Sequence, residues 1–179
     1  MNAARLSHLD AAGRAGMVDV SAKPLTLREA VARGAVRMTK EALRVVTTGT
    51  SRKGDVLTTA RIAGIMGAKA TSALIPMTHP LPLTLVELRC TPDAALPGIR
   101  IESRVRCQAP TGAEMEALTA VAVAALTIVD MVKSADRWMT IEQVELVHKS
   151  GGKSGRLDRP TKPRRASART RPSAPRRSP

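Results

Sequence analysis

The chain has 179 residues, 43% apolar and 25% charged, with a formal net charge of +14; that length suits one domain with a hydrophobic core. One Trp and no Phe or Tyr exclude an aromatic-rich core and the stacking platform of a single-strand nucleic-acid binder, so the core is expected from Leu, Ile, Val, Met and Ala. Two cysteines, Cys90 and Cys107, make no disulfide framework, and without a CxxC or paired-His pattern no metal site is expected.

Each cysteine falls on the apolar phase of a strand pattern and reads as a small buried hydrophobe. The first residues lack a basic, then apolar, leader pattern. The best apolar run, Ala120–Val129, is short of a membrane span. The expected location is cytoplasmic, with no membrane contact.

The charge is uneven. From Arg156 onward there are nine Lys/Arg and one Asp, or +8, against twenty and fourteen, or +6, in residues 1–155. The stretch after Asp158 is rich in Arg, Pro and Ser with almost nothing to bury. It is expected to be a disordered basic tail, 159–179, behind a domain of residues 1–158. Such a tail could touch a polyanion nonspecifically or serve as an inert, solubilising extension.

In chain order, Met17–Val20 reads as a short strand or extended entry. Thr26 is expected to cap a helix running to about Leu43, with Glu29 as capping-box partner, because Leu27, Ala30, Val31, Ala35 and Met38 recur at helical spacing. A polar loop, Thr47–Asp55, follows, and Asp55 caps a second helix carrying Val56, Ala60, Ala63, Met66 and Ala70, ended by Pro76. Gly64, Gly67 and the alanines permit close helix approach. Three prolines hold Pro76–Pro82 rigid and irregular. Leu83–Cys90 is a strand, then a turn, then Ile99–Cys107, which alternates apolar or small residues with Arg100, Glu102, Arg104 and Arg106, as in a sheet with one covered face. Gly112 to about Trp138 is a long Ala-, Leu- and Val-rich helix, and Ile141–Val147 a last strand. The pattern implies an α+β domain, an antiparallel sheet with helices on one face.

Four places could carry chemistry. Arg52, Lys53 and Asp55 stand in a loop at a helix start, a phosphate site or a solvated loop with a capping Asp. His79 is locked between prolines, a positioned donor or a surface histidine. On the long helix, Glu114 and Glu116 open the first turns, and Asp130 and Lys133 share one side near the end. Asp130 is about 40° from Glu116 around the axis. An Asp following an apolar run is either functional or part of a structural pair with Lys133. KSGGKSG, Lys149–Gly155, lacks Walker A spacing and a following helix, yet its lysines (Lys149, and Lys153 as a further candidate), serines and glycines can wrap a polyphosphate; a flexible linker is the alternative. These groups suit an anionic, phosphorylated small molecule. The rival reading is a basic nucleic-acid adaptor with an inert core.

MVDVSAK (17–23), KGDVLTTARIAGIMGAK (53–69), LIPMTHPLPLT (74–84), TGAEMEALTAVAVAALTIVDMVKS (111–134) and KSGGKSG (149–155), in that order, closely resemble the molybdenum cofactor biosynthesis protein C family, the cyclic pyranopterin monophosphate synthases. The resemblance covers roughly residues 7–158. It implies a ferredoxin-like α+β fold and a homohexamer, a trimer of dimers with active sites between subunits. The substrate it implies is 3′,8-cyclo-7,8-dihydro-GTP, supplied by a radical GTP cyclase and rearranged to cyclic pyranopterin monophosphate with loss of pyrophosphate, without a cofactor. It assigns Asp130, Lys133 and Lys53 to catalysis, and Met77, Thr78, His79, Glu114, Met115, Glu116 and Lys149 to substrate binding. Two positions depart from the family pattern: Thr78 stands where Cys is usual, and Gly16 where His or Arg is frequent.

Overall fold

The computed structural model describes residues 13, 14 and 16–160; the basic tail expected at 159–179 lies outside them from residue 161 onward. The elements run β1 (Thr26–Arg37), α1 (Lys40–Thr47), α2 (Val56–Lys69), α3 (Thr71–Leu74), β2 (Leu83–Asp93), β3 (Gly98–Ala109), α4 (Glu114–Val132), β4 (Thr140–Ser150) and β5 (Leu157–Asp158). The sheet order is β2-β3-β1-β4-β5, every neighbouring pair antiparallel. β1 and β2 therefore run parallel on either side of β3, as do β3 and β4 on either side of β1. Each parallel pair is joined through helices, the two interlocked split βαβ units of a ferredoxin-like fold.

The first expected helix is a strand. β1 sits between β3 and β4, and its middle, Ala30–Ala32 and Gly34–Val36, is buried on both faces. Burial on both faces erases the alternation that marks a strand, and its alanines mimic a helix. Glu29 is not a capping partner; it lies in β1 with its carboxylate against Arg106 and Arg104. The helix starts later, where Thr39 accepts a hydrogen bond from the Ala42 N–H at 3.2 Å. Met17–Val20 forms no strand. The long helix is also shorter than expected: Lys133 is its C-cap, and the chain turns on Asp136, whose carboxylate accepts from the N–H groups of Thr39 (2.8 Å) and Trp138 (2.9 Å). Trp138, in that turn, is 89% exposed.

Other expectations match. Asp55 caps α2, accepting from the Thr58 N–H at 3.0 Å. On β3, Ile99, Ile101, Ser103, Val105 and Cys107 are buried while the arginines between them face outward. All helices cover that inner face: Ser103 Oγ donates to the Ala117 carbonyl of α4 at 2.7 Å. Glycine makes the contact close. A Cβ on Gly64 of α2 would lie 2.8 Å from the Ala120 carbonyl of α4, and one on Gly34 of β1 2.6 Å from Val121. By length and composition α4 reaches the range of a membrane span, more than its apolar run suggests; here ten of its residues are buried against the sheet and α2. Both cysteines are free, and burial pushes the Cys90 thiol up to about 11, which keeps it protonated and inert.

Candidate active site

Lys53 sits in the loop between α1 and α2. Its N–H donates to Ser51 Oγ at 3.3 Å, Gly54 turns the chain with φ of 90°, and Asp55 then starts α2. Held on both sides, the Lys53 side chain reaches across to the last turn of α4. Its ammonium donates to Asp130 Oδ2 at 2.8 Å and to the Asp130 main-chain carbonyl at 2.9 Å. Lys133, three residues on, donates to Asp130 Oδ1 at 2.7 Å. Each carboxylate oxygen thus holds one ammonium.

Ammonium neighbours lower a carboxyl pKa and burial raises it. The side chain of Asp130 is 58% exposed, so burial contributes little. The hydrogen bonds from Lys133 and Lys53 hold its carboxyl well down, at about 2. The Asp130–Lys133 pair expected as the structural alternative is present at the helix surface, open to water, and Lys53 joins it from another element.

A second group lies at the other end of α4. Lys149, at the end of β4 on the helix-facing side of the sheet, donates to Glu114 Oε1 at 2.6 Å. Glu116 is 3% exposed, and burial pushes its carboxyl up to about 6. Met115 beside it is exposed. The turn after Lys149 bends through Gly151 and Gly152, both with positive φ. Glu114 and Asp130 are sixteen positions apart, about 24 Å along the helix, so the charged candidates on α4 form two separate groups.

The remaining candidates follow α3. Because Lys53 meets Asp130 and Gly64 meets Ala120, α2 runs antiparallel to α4, and α3 continues toward the N-terminal end of α4. Met77, Thr78 and His79 come next, all half-buried. Thr78 Oγ1 donates to the Ile75 carbonyl at 2.9 Å, closing the turn locally. Among the described residues, no hydrogen bond or ion pair joins this segment to Lys53 or Asp130. No group of His, Cys, Asp and Glu that could hold a metal occurs among the described residues.

A concavity of about 760 Å³ lies elsewhere, on the outer face of the sheet. Its walls hold the ion pairs Arg33–Glu102 at 2.7 Å and Arg159–Glu145 at 2.8 Å and a His148–Asp158 hydrogen bond at 2.7 Å. Its arginines and carboxylates balance one for one, whereas at the C-terminal end of α4 two lysines share a single carboxylate, leaving one cation in excess for an anionic ligand. Residue patterns alone did not show the charge pairs around Glu29, since that residue falls in the segment misread as a helix.

The chain is 62% identical over 152 residues to the cyclic pyranopterin monophosphate synthase of Methylobacterium sp. (strain 4-46), covering 85% of this chain and 95% of that protein. It is 59% identical over 153 residues to the enzyme of that name from Dinoroseobacter shibae, covering 86% and 97%, and 55% identical over 154 residues to that from a Nostoc species, covering 86% and 92%. The model of the MoaC family matches residues 17–152, which takes in both ends of α4, Lys53 and Lys149, and the chain belongs to that family.

Proposed function

We propose that this chain is a lyase of molybdenum cofactor biosynthesis, converting (8S)-3′,8-cyclo-7,8-dihydroguanosine 5′-triphosphate to cyclic pyranopterin monophosphate and pyrophosphate. The observation that carries the reading is the Lys53–Asp130–Lys133 cluster, in a chain 55–62% identical to synthases of that name. The reaction opens a bond between a ring nitrogen and C8, moves protons and closes a new ring. The 2′ oxygen then attacks the α-phosphate and pyrophosphate leaves. Each step needs a donor or acceptor held close to the substrate.

Asp130 is the acceptor in this reading. Alone with two ammoniums it is a weak base; when an anionic substrate draws Lys53 and Lys133 toward its phosphates, the carboxylate loses donors and gains basicity. The lysines are then free to return protons or to stabilise the leaving pyrophosphate. Glu114, Met115, Glu116 and Lys149 at the opposite end, with Met77, Thr78 and His79, bind substrate. No cofactor takes part.

The separation of about 24 Å along α4 supports a site completed between subunits, one giving Asp130 and its lysines, another giving the Glu114–Lys149 end. That is the arrangement of a homohexamer of three dimers. The paired charges on the outer face of the sheet are the surface suited to meet a second copy. Residues 1–158 form the synthase domain, cytoplasmic and fed by the radical GTP cyclase; residues 159–179 are a basic appendage able to touch polyanions.

The test supplies the 3′,8-cyclo intermediate to purified protein and follows pterin product and pyrophosphate separately, with light scattering on the same sample. Formation of both by a hexamer is expected. A monomer at micromolar concentration contradicts the shared site, and absence of pterin product contradicts the activity.

A further inference from the structure

We propose that Arg28 is a positioning residue for the substrate-binding end of α4. It locks the β3–α4 turn to the turn after β4 and thereby sets the Glu114–Lys149 pair. The proposal rests on the reading that this pair contacts the triphosphate substrate.

Arg28 lies opposite Cys107 on the helix-facing side of β1. Its Nε donates to the Ala109 carbonyl at 3.3 Å and its Nη2 to the Pro110 carbonyl at 3.0 Å. Those two residues lead directly into α4, where Glu114 begins the helix. The other side of the guanidinium packs on Gly151 and Gly152. A Cβ on Gly152 would lie 2.0 Å from Arg28 Nη1, and one on Gly151 3.2 Å from Arg28 Cδ. Both glycines also hold positive φ, 95° and 67°, which side chains disfavour. The glycine pair of KSGG is thus required twice, by the backbone conformation and by the room the guanidinium occupies.

One planar group therefore touches both segments that carry the pair: Lys149 is two residues before Gly151, and Glu114 four after Pro110. Both acceptors of Arg28 are main-chain carbonyls, so it fixes backbone rather than neutralising an acid. A planar fork can serve two adjacent carbonyls while filling the space left by a glycine; an ammonium on a flexible stem cannot do both. The consequence is preorganisation: Lys149 meets an arriving phosphate without first ordering its own turn.

The test compares wild type with Arg28→Lys, Arg28→Ala, Lys149→Ala and the Arg28→Ala/Lys149→Ala double variant. Arg28→Lys and Arg28→Ala are expected to raise KM about tenfold or more, with kcat within about threefold of wild type. If Arg28 acts through Lys149, KM of the double variant equals that of Lys149→Ala within about twofold; multiplied effects overturn the proposal. A lowered melting temperature with unchanged KM means a purely structural arginine and overturns it too. Amide hydrogen exchange supplies a readout independent of turnover. In Arg28→Lys, exchange at Thr111–Gly112 and Gly151–Gly152 is expected to quicken while the sheet amides are unchanged; unaltered exchange there overturns the proposal even if Arg28→Ala fails to fold. An inactive wild type refutes the proposed function, whereas an active wild type with a normal Arg28→Lys KM refutes the role of Arg28 alone.

Discussion

Lys53 grips Asp130 twice, by its carboxylate at 2.8 Å and by its main-chain carbonyl at 2.9 Å. The second contact satisfies a carbonyl in the last turn of α4, where a cation is also favoured by the helix dipole. The same lysine therefore ends a helix and arms a carboxylate, and its loss must be read on both counts.

For the catalytic cluster, Asp130→Asn is expected to lower turnover of the 3′,8-cyclo intermediate by about 100-fold or more, the scale of a positioned acid–base group. The side chain is exposed, so the variant should stay folded. Lys133→Ala and Lys53→Ala should fall comparably, Lys53→Ala with a small drop in melting temperature from the lost helix end. Rate assays with circular dichroism check this. Near-normal turnover in Asp130→Asn removes it from catalysis, and pyrophosphate arrest with an accumulating intermediate assigns it to cyclic-phosphate closure instead.

Glu116 gives a pH signature. Its carboxyl is raised from 4.5 to about 6 by burial, so between those values the folded chain holds protons that the unfolded chain has lost. Stability then declines as pH rises through that window, by up to about 2 kcal/mol. Glu116→Gln lacks this slope. Urea unfolding of both proteins at pH 4.5 and pH 7 measures it; a wild-type-minus-variant difference that is the same at both values means the carboxyl titrates normally.

The α2–α4 contact leaves no room at Gly64, where a Cβ would come within 2.4 Å of Leu88 and 2.8 Å of a backbone carbonyl. Gly64→Ala should cost about 1–3 kcal/mol through overpacking, although alanine is the better helix former by about 1 kcal/mol. Chemical denaturation decides between the two effects, and a stabilised variant would show that the helices can part.

Removing residues 161–179 deletes seven Lys/Arg and no acid. Turnover is expected to stay within about twofold, while any salt-sensitive DNA or RNA binding disappears, since such binding follows the number of cations engaged. Electrophoretic shift with intact and truncated chain checks it. Binding retained by the truncated chain, together with no pterin product, would favour the nucleic-acid adaptor.

Much of the architecture was legible because β2, β3 and β4 alternate or are bounded by turn residues, and because Asp55 announces α2. β1 was not, since a central strand buried on both faces carries no alternation, and Leu27, Ala30, Val31, Ala35 and Met38 match a helix by accident. Gly34 in the middle of that stretch was the available warning, being unfavourable in a helix. For the site, Asp130 and Lys133 were readable as helix neighbours. The sequence could not show that Lys53 meets them from 77 positions away, nor that Glu114 and Lys149 form a separate group, because both facts depend on how α2 and β4 pack. The direction of the Asp130 shift likewise depends on exposure, which spacing does not reveal.

The lone indole has an optical consequence. Trp138 stands 89% in water at the turn after α4, and no Tyr or Phe accompanies it. Its emission in a folded single subunit should already be red-shifted, close to that of the denatured chain, so unfolding will be nearly invisible to tryptophan fluorescence. Any blue shift on concentrating the protein, or on adding nucleotide, instead reports a surface closing over the end of the helix that carries Asp130 and Lys133.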